Sequence, residues 1–235
     1  MKLSRERRSG RAKEGSQFHL QNLINNNSDL LNKLILNASL SLRNAVHGNI
    51  AWVSPLQKDN YLEYQDTEFL EAVGYPQLNK DLLKFWPEGG PVWDALAIFP
   101  LKSGERNGVI LLEAKSHIKE IESGGSRAQG NSKKHIIRTL GEIQNFIRVI
   151  PNKNWLGKYY QYANRLAHLY FLLITQKIPT WLVFLYFVND IEQNGPRKEE
   201  EWYKVIDEVK ETLGLPVRHI LSDNIINIFI DLDKF

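Results

Sequence analysis

Apolar and polar positions along the chain follow two periods. From Gly90 to Phe99 and from Gly108 to His117 the apolar residues form short, nearly continuous blocks about a polar turn, Leu101 to Asn107, that contains Gly104. Two runs of strand length around such a turn predict a β-hairpin. Upstream, Phe18, Leu20, Leu23, Ile24, Leu30, Leu31, Leu34 and Ile35 recur at helical spacing. Asn25–Ser28 interrupts them, which predicts a helical pair or one broken helix, with Asn27 or Ser28 as a cap. Ile50–Val53 reads as a short strand. Asp66 or Thr67 caps a short helix over Glu68–Val73 that stops at Gly74, and Asn79–Phe85 makes another helical turn.

Beyond the hairpin, Ser123–Ser132 is rich in Gly and Ser and reads as a mobile loop. Lys133–Ile150 is helical, and Trp155–Thr175 reads as the longest helix. Pro179–Asn189 is almost wholly apolar, as a central strand buried on both faces would be. Glu199–Leu213 is an amphipathic helix stopped by Gly214, and Ile225–Leu232 is a last strand. From Val92 onward the order is β-β-α-α-β-α-β, which implies an α/β sandwich around a mixed sheet. In such sheets ligands gather beyond strand ends.

Composition narrows the class. At 235 residues with 43% hydrophobic and 24% charged, the chain can bury a full core as one globular unit. No apolar run reaches the length of a membrane helix, and the basic N-terminus lacks the apolar stretch of a secretory signal. The absence of cysteine removes disulfides and thiolate metal sites and agrees with a cytoplasmic protein. Residues 1–14 hold six of the 30 basic groups and two of the 27 acidic ones, so the rest is close to neutral. Residues 1–16 read as a basic disordered tail, either solvated or touching phosphate. Residues 17–60 read as a helical segment packed on the core, and 61–235 as the core itself.

The hairpin carries charges where burial is expected. Asp94 lies in its first arm, and Glu113, Lys115 and His117 share one face of the second. Buried charges are costly unless paired or bound to a metal. Phosphodiester hydrolysis needs charge stabilisation that Mg2+ supplies, with one or two carboxylates as ligands. Asp94 and Glu113 suit that task, with the Ala114 carbonyl as a third ligand and Mn2+ as a substitute ion. Lys115 would orient or deprotonate the attacking water.

Asp94 followed by Glu113-Ala114-Lys115 resembles the core motif of the PD-(D/E)xK nuclease superfamily, which includes restriction endonucleases. Pro91-Val92-Trp93-Asp94 stands for the Pro-Asp half with two residues inserted, and the resemblance spans roughly Glu68 to Val188. It implies a restriction endonuclease-like three-layer sandwich, with a mixed central sheet flanked by helices, and a metal-dependent nuclease acting on DNA. It also implies a further acid from a helix before the hairpin, Glu68 or Glu71, and a Gln or basic residue on the helix after it. Gln161, Arg165 and His168 fall on one stripe of that helix and are the candidates, with His117, for phosphate contact.

The implied partners are nucleic acid, no membrane, and either a second copy of the chain or a recruiting protein. Two other readings compete. One is an inactive nucleic-acid-binding or scaffold protein on the same fold. The other is a carboxylate-based sugar hydrolase, disfavoured by the adjacent Lys115. His19, His47, His135 and His219 show no zinc-ligand spacing, and Gly124-Gly125-Ser126 lacks a nucleotide-binding Lys.

Overall fold

The computed structural model describes residues 8–104 and 106–234. The basic residues Lys2, Arg5 and Arg7 lie outside them. Three helices open the chain: α1 (Gly15–Asn26), α2 (Ser28–Ala38) and α3 (Leu40–Ala45). Strand β1 (Ala51–Ser54) follows, then β2 (Tyr64–Gln65), α4 (Thr67–Ala72), α5 (Asn79–Phe85) and β3 (Val92–Trp93). The hairpin is β4 (Ala95–Pro100) and β5 (Asn107–Lys115). The remainder is α6 (Gly130–Ile147), α7 (Tyr160–Tyr170), β6 (Thr180–Val188), α8 (Glu199–Leu213) and β7 (Ile225–Asp231).

The main sheet has five strands in the order β1-β4-β5-β6-β7. β1, β4 and β5 run antiparallel to their neighbours, and β5, β6 and β7 run parallel. β6 is buried at every position. Its alternate residues divide between two cores: Trp181, Val183, Leu185 and Phe187 join α1–α3 on one face, while Leu182, Phe184, Tyr186 and Val188 join α4–α8 on the other. An apolar run without alternation is thus a strand covered on both faces, and the chain is a helix–sheet–helix arrangement with a mixed central sheet.

Three expectations need correction. The longest helix is α6, with 18 residues. The helix expected over Trp155–Thr175 begins only at Tyr160, because Trp155–Tyr159 is an irregular approach in which the Trp155 indole donates to the Leu213 carbonyl. It ends in a π-helical turn, Phe171–Thr175. The part of the expected disordered tail that is described, Arg8 to Ser16, is packed on the core, and Arg8 is 2% exposed. The Arg8 carbonyl accepts the Glu63 N–H at 2.8 Å, and Gly10 N–H donates to Asn60 O at 2.7 Å. Asn27 occupies the cap position of α2, but its side chain makes no capping bond.

Candidate active site

In β5, Val109 and Leu111 point into the core beneath α7, while Ile110, Leu112 and Ala114 face α1–α3. By the same alternation Glu113 and Lys115 continue the α7-facing row at the end of the strand. The apolar row therefore ends in two charges, both buried. Lys115 Nζ donates to Glu113 Oε1 at 2.6 Å.

α7 supplies the rest of the cage. Gln161 Nε2 donates to Glu113 Oε1 at 2.8 Å, and Gln161 Oε1 accepts from Lys115 at 3.2 Å. One turn on, Arg165 Nε meets Glu113 Oε2 at 2.7 Å, and its terminal nitrogen reaches that oxygen at 2.6 Å. That nitrogen also donates to the Val92 carbonyl at 2.9 Å, while the guanidinium lies over the Trp93 ring, 5.0 Å from its centre. Both oxygens of Glu113 are thus satisfied by charged or amide donors. Burial alone would raise the Glu113 pKa, but Arg165 and Lys115 outweigh it and hold the group lowered.

Asp94 stands where the first hairpin arm changes partners. β3 pairs with β2, Trp93 opposite Tyr64, whereas β4 pairs with β5 from Ala95 opposite Leu112 onward. The arm expected as one strand is split at this residue. Asp94 Oδ2 accepts the Ala114 N–H at 2.8 Å, which ties the acid to the strand bearing Glu113 and Lys115. Burial, then repulsion from Glu113, raises the Asp94 pKa to about 7 despite Lys115 and Arg165.

Beside Asp94 the cleft is lined by Glu63, just ahead of β2, and by neither Glu68 nor Glu71. Glu68, on α4, is tied to Arg8 at 2.6 Å, and Glu71 is exposed and accepts from the Asn79 amide at 3.0 Å. Glu63 is buried, accepts from Gln17 at 2.6 Å, and is raised to about 8 by burial and by repulsion from Asp94. The Arg8 guanidinium donates to the Glu63 carbonyl at 2.7 Å. A buried acid in Tyr61-Leu62-Glu63-Tyr64, between apolar neighbours, was the available signal in the chain. Arg8, inside a charged stretch, offered none.

These groups surround an open cleft of about 430 Å³, lined by Arg8, Glu63, Asp94, Gln161, Asn164 and Arg165. Glu113 and Lys115 lie behind Gln161 and Arg165, against a void of about 10 Å³.

Two of the expected residues are elsewhere. His168 is buried among Trp86, Phe69, Phe85 and Trp93, with Nδ1 3.0 Å from the Asn164 carbonyl. Burial lowers its pKa to about 3, so it is a neutral packing group and cannot serve as a phosphate cation. Gly90 packs closely against it: an added Cβ there would come within 3.2 Å of Asp66 Oδ1 and 3.3 Å of His168 Nε2. His117 leaves the strand row because β5 ends at Lys115, and it lies 3.6 Å from Glu120.

The donor set suits a hard divalent cation. Two carboxylates facing the cleft are held above their ordinary range by burial and mutual repulsion, and such a pair is relieved by a cation. The set is not drawn together in advance: among the described residues no three acidic or histidine groups form a metal-sized cluster. Glu113 is instead held by Lys115, Gln161 and Arg165. The Ala114 N–H is engaged by Asp94, and Ala114 stands between Glu113 and Lys115 on β5.

Comparison with protein-family models, with curated proteins and with solved structures finds no match. No helix among the described residues is long and apolar enough to cross a membrane.

Proposed function

We propose that this chain is a metal-dependent phosphodiesterase, a nuclease acting on DNA, built on a restriction endonuclease-like version of the three-layer fold. The observation that carries the reading is an open cleft lined by Glu63 and Asp94, both held above the carboxylate range, with the Glu113–Lys115 pair directly behind its Gln161 and Arg165 wall. Mg2+, or Mn2+ in its place, would supply charge stabilisation at the scissile phosphate when bound. Asp94 and Glu63 are the residues placed to hold it, with Glu113 as a third ligand once a donor withdraws.

Each side chain then has a task. Lys115, tethered to Glu113 and Gln161, directs its amine toward the reacting water or offsets charge on the phosphate. Arg165 positions Glu113 and, with Arg8, provides positive charge on the wall of the cleft. Gln161 fixes Glu113 and Lys115 relative to each other. His168 and His117 have no part in it.

The test is incubation with supercoiled, linear and single-stranded DNA in Mg2+, Mn2+ or EDTA, alongside Asp94→Ala and Lys115→Ala. Metal-dependent cutting by the wild type alone supports the reading, and equal cutting by all three proteins sinks it. One observation favours the inactive alternative: Glu113 has no free oxygen while Lys115, Gln161 and Arg165 hold it. DNA binding without cutting in any metal would select that alternative.

A further inference from the structure

The cleft does not end at the carboxylates. Ser123 and Tyr160 line it and also line a second chamber of about 550 Å³. The two are lobes of one trench that runs outward from the candidate active site. The far wall is the Ser123–Gln129 segment, and the near wall is the turn from Trp86 to Gly89.

The Gly-rich segment that the sequence suggests is a mobile loop is instead pinned along its length. Ser123 N–H donates to the Lys158 carbonyl at 2.7 Å, and Ser126 N–H to the Leu156 carbonyl at 2.9 Å. Gly125 has φ of 78° and a Cβ there would lie 2.8 Å from the Leu156 oxygen, so only glycine lets the two backbones approach so closely. Tyr160, at the junction of the lobes, is partly exposed, with Ser126 beside its hydroxyl. Arg127 is exposed on the outer lobe, and Glu88 is exposed on the opposite wall.

One further group points to a ligand. Asn164 lines the inner lobe, is 5% exposed, and its amide oxygen has no hydrogen-bond partner. A buried polar atom without a partner is costly. A base removed from pairing offers N–H donors that a duplex keeps engaged.

We propose that the trench is a binding site for a single nucleic-acid strand leaving the active site, which makes the preferred substrate a duplex with a single-stranded tail. The inference rests on the nuclease reading of the inner lobe. Arg165 and Arg8 on the wall at one end, each already shared with a carboxylate, the Tyr160 ring between, and the exposed Arg127 at the other end set cation, aromatic face and cation along the path of a strand. A chamber of this size holds about one or two nucleotides rather than a duplex. The ring accepts any base by stacking, so selection is for strandedness and not for sequence.

The test uses fluorescence anisotropy with three labelled DNAs of one sequence: a single strand, a blunt duplex and a duplex with a single-stranded tail. Ca2+ replaces Mg2+ so that binding is read apart from cutting. The wild type should bind the tailed duplex about tenfold more tightly than the blunt one. Tyr160→Ala and Arg127→Ala should each collapse that ratio toward one, and Tyr160→Phe, which keeps the ring, should retain it. Equal affinity of the wild type for tailed and blunt DNA overturns the inference. So does a ratio unchanged in both alanine variants, or one lost in Tyr160→Phe as fully as in Tyr160→Ala. Tail-selective binding without cutting in Mg2+ would keep the trench and remove the nuclease. Cutting without tail selectivity would do the reverse.

Discussion

Arg165 and Glu113 form a buried pair in which two guanidinium nitrogens converge on one carboxylate oxygen, at 2.7 and 2.6 Å. The two side chains are 5% and 2% exposed, so neither charge has water to fall back on. Removing one partner of such a pair typically costs about 3–5 kcal/mol. Arg165→Ala should therefore lower the unfolding free energy by about 3 kcal/mol in urea titration. A change below about 0.5 kcal/mol would show that solvent or Lys115 compensates fully.

Lys115→Ala differs, because Glu113 keeps Arg165 and Gln161. The fold should persist, with unchanged near-ultraviolet circular dichroism. If the nuclease reading holds, turnover should fall about a hundredfold to a thousandfold, the usual effect of losing one electrostatic stabiliser. Retention of turnover within a factor of three would remove Lys115 from the chemistry.

Glu63, Glu68 and Glu71 can be separated by one experiment. Glu63→Gln should abolish metal-dependent cutting while relieving the repulsion with Asp94. Its melting temperature at pH 8 without metal should rise by about 2–4 °C. Glu68→Gln should lose stability through its bond to Arg8, and Glu71→Gln should change neither property. A Glu71→Gln variant that loses cutting would restore the helix acid and dismiss Glu63.

Stability without metal should depend on pH in a definite direction. Glu63 is raised from 4.5 to about 8 and Asp94 from 3.8 to about 7. The folded chain binds these protons more strongly than the unfolded one. Their contribution is complete below the unfolded values and is lost as pH rises through 7 and 8. Thermal melts from pH 5 to pH 9 in EDTA should decline over that window. A divalent cation displaces the protons and should flatten the decline. A melting temperature independent of both pH and metal would contradict the arrangement of acids.

The layered fold and much of the site were legible because they rest on short-range patterns. β6 shows as an unbroken apolar run, and Gln161 and Arg165 show as polar residues four apart on an otherwise buried helix. His168 shares that stripe but sits beyond the cleft, because spacing gives a helix face and says nothing of how far along it a neighbour extends. Arg8 was not legible, and Glu63 only as a lone acid among apolar neighbours, since the two meet through a pairing between segments 55 residues apart. Asp94 was found for its charge. Its place at the change from one sheet to another depends on the partner β2, a strand too short to show a period.

Arg8 lines the cleft of the proposed nuclease, so anything fused to the front of the chain is covalently tied to a residue of that opening. A purification tag or fusion partner attached ahead of Met1 would be joined to Arg8 through seven residues, a tether short enough to let it compete with substrate for the cleft. A polyhistidine tag placed there would also offer imidazoles to any divalent ion in the assay. Lys234, by contrast, follows β7 at the outer edge of the sheet. Activity measurements on this protein should be made with any handle at that end, or with the handle removed.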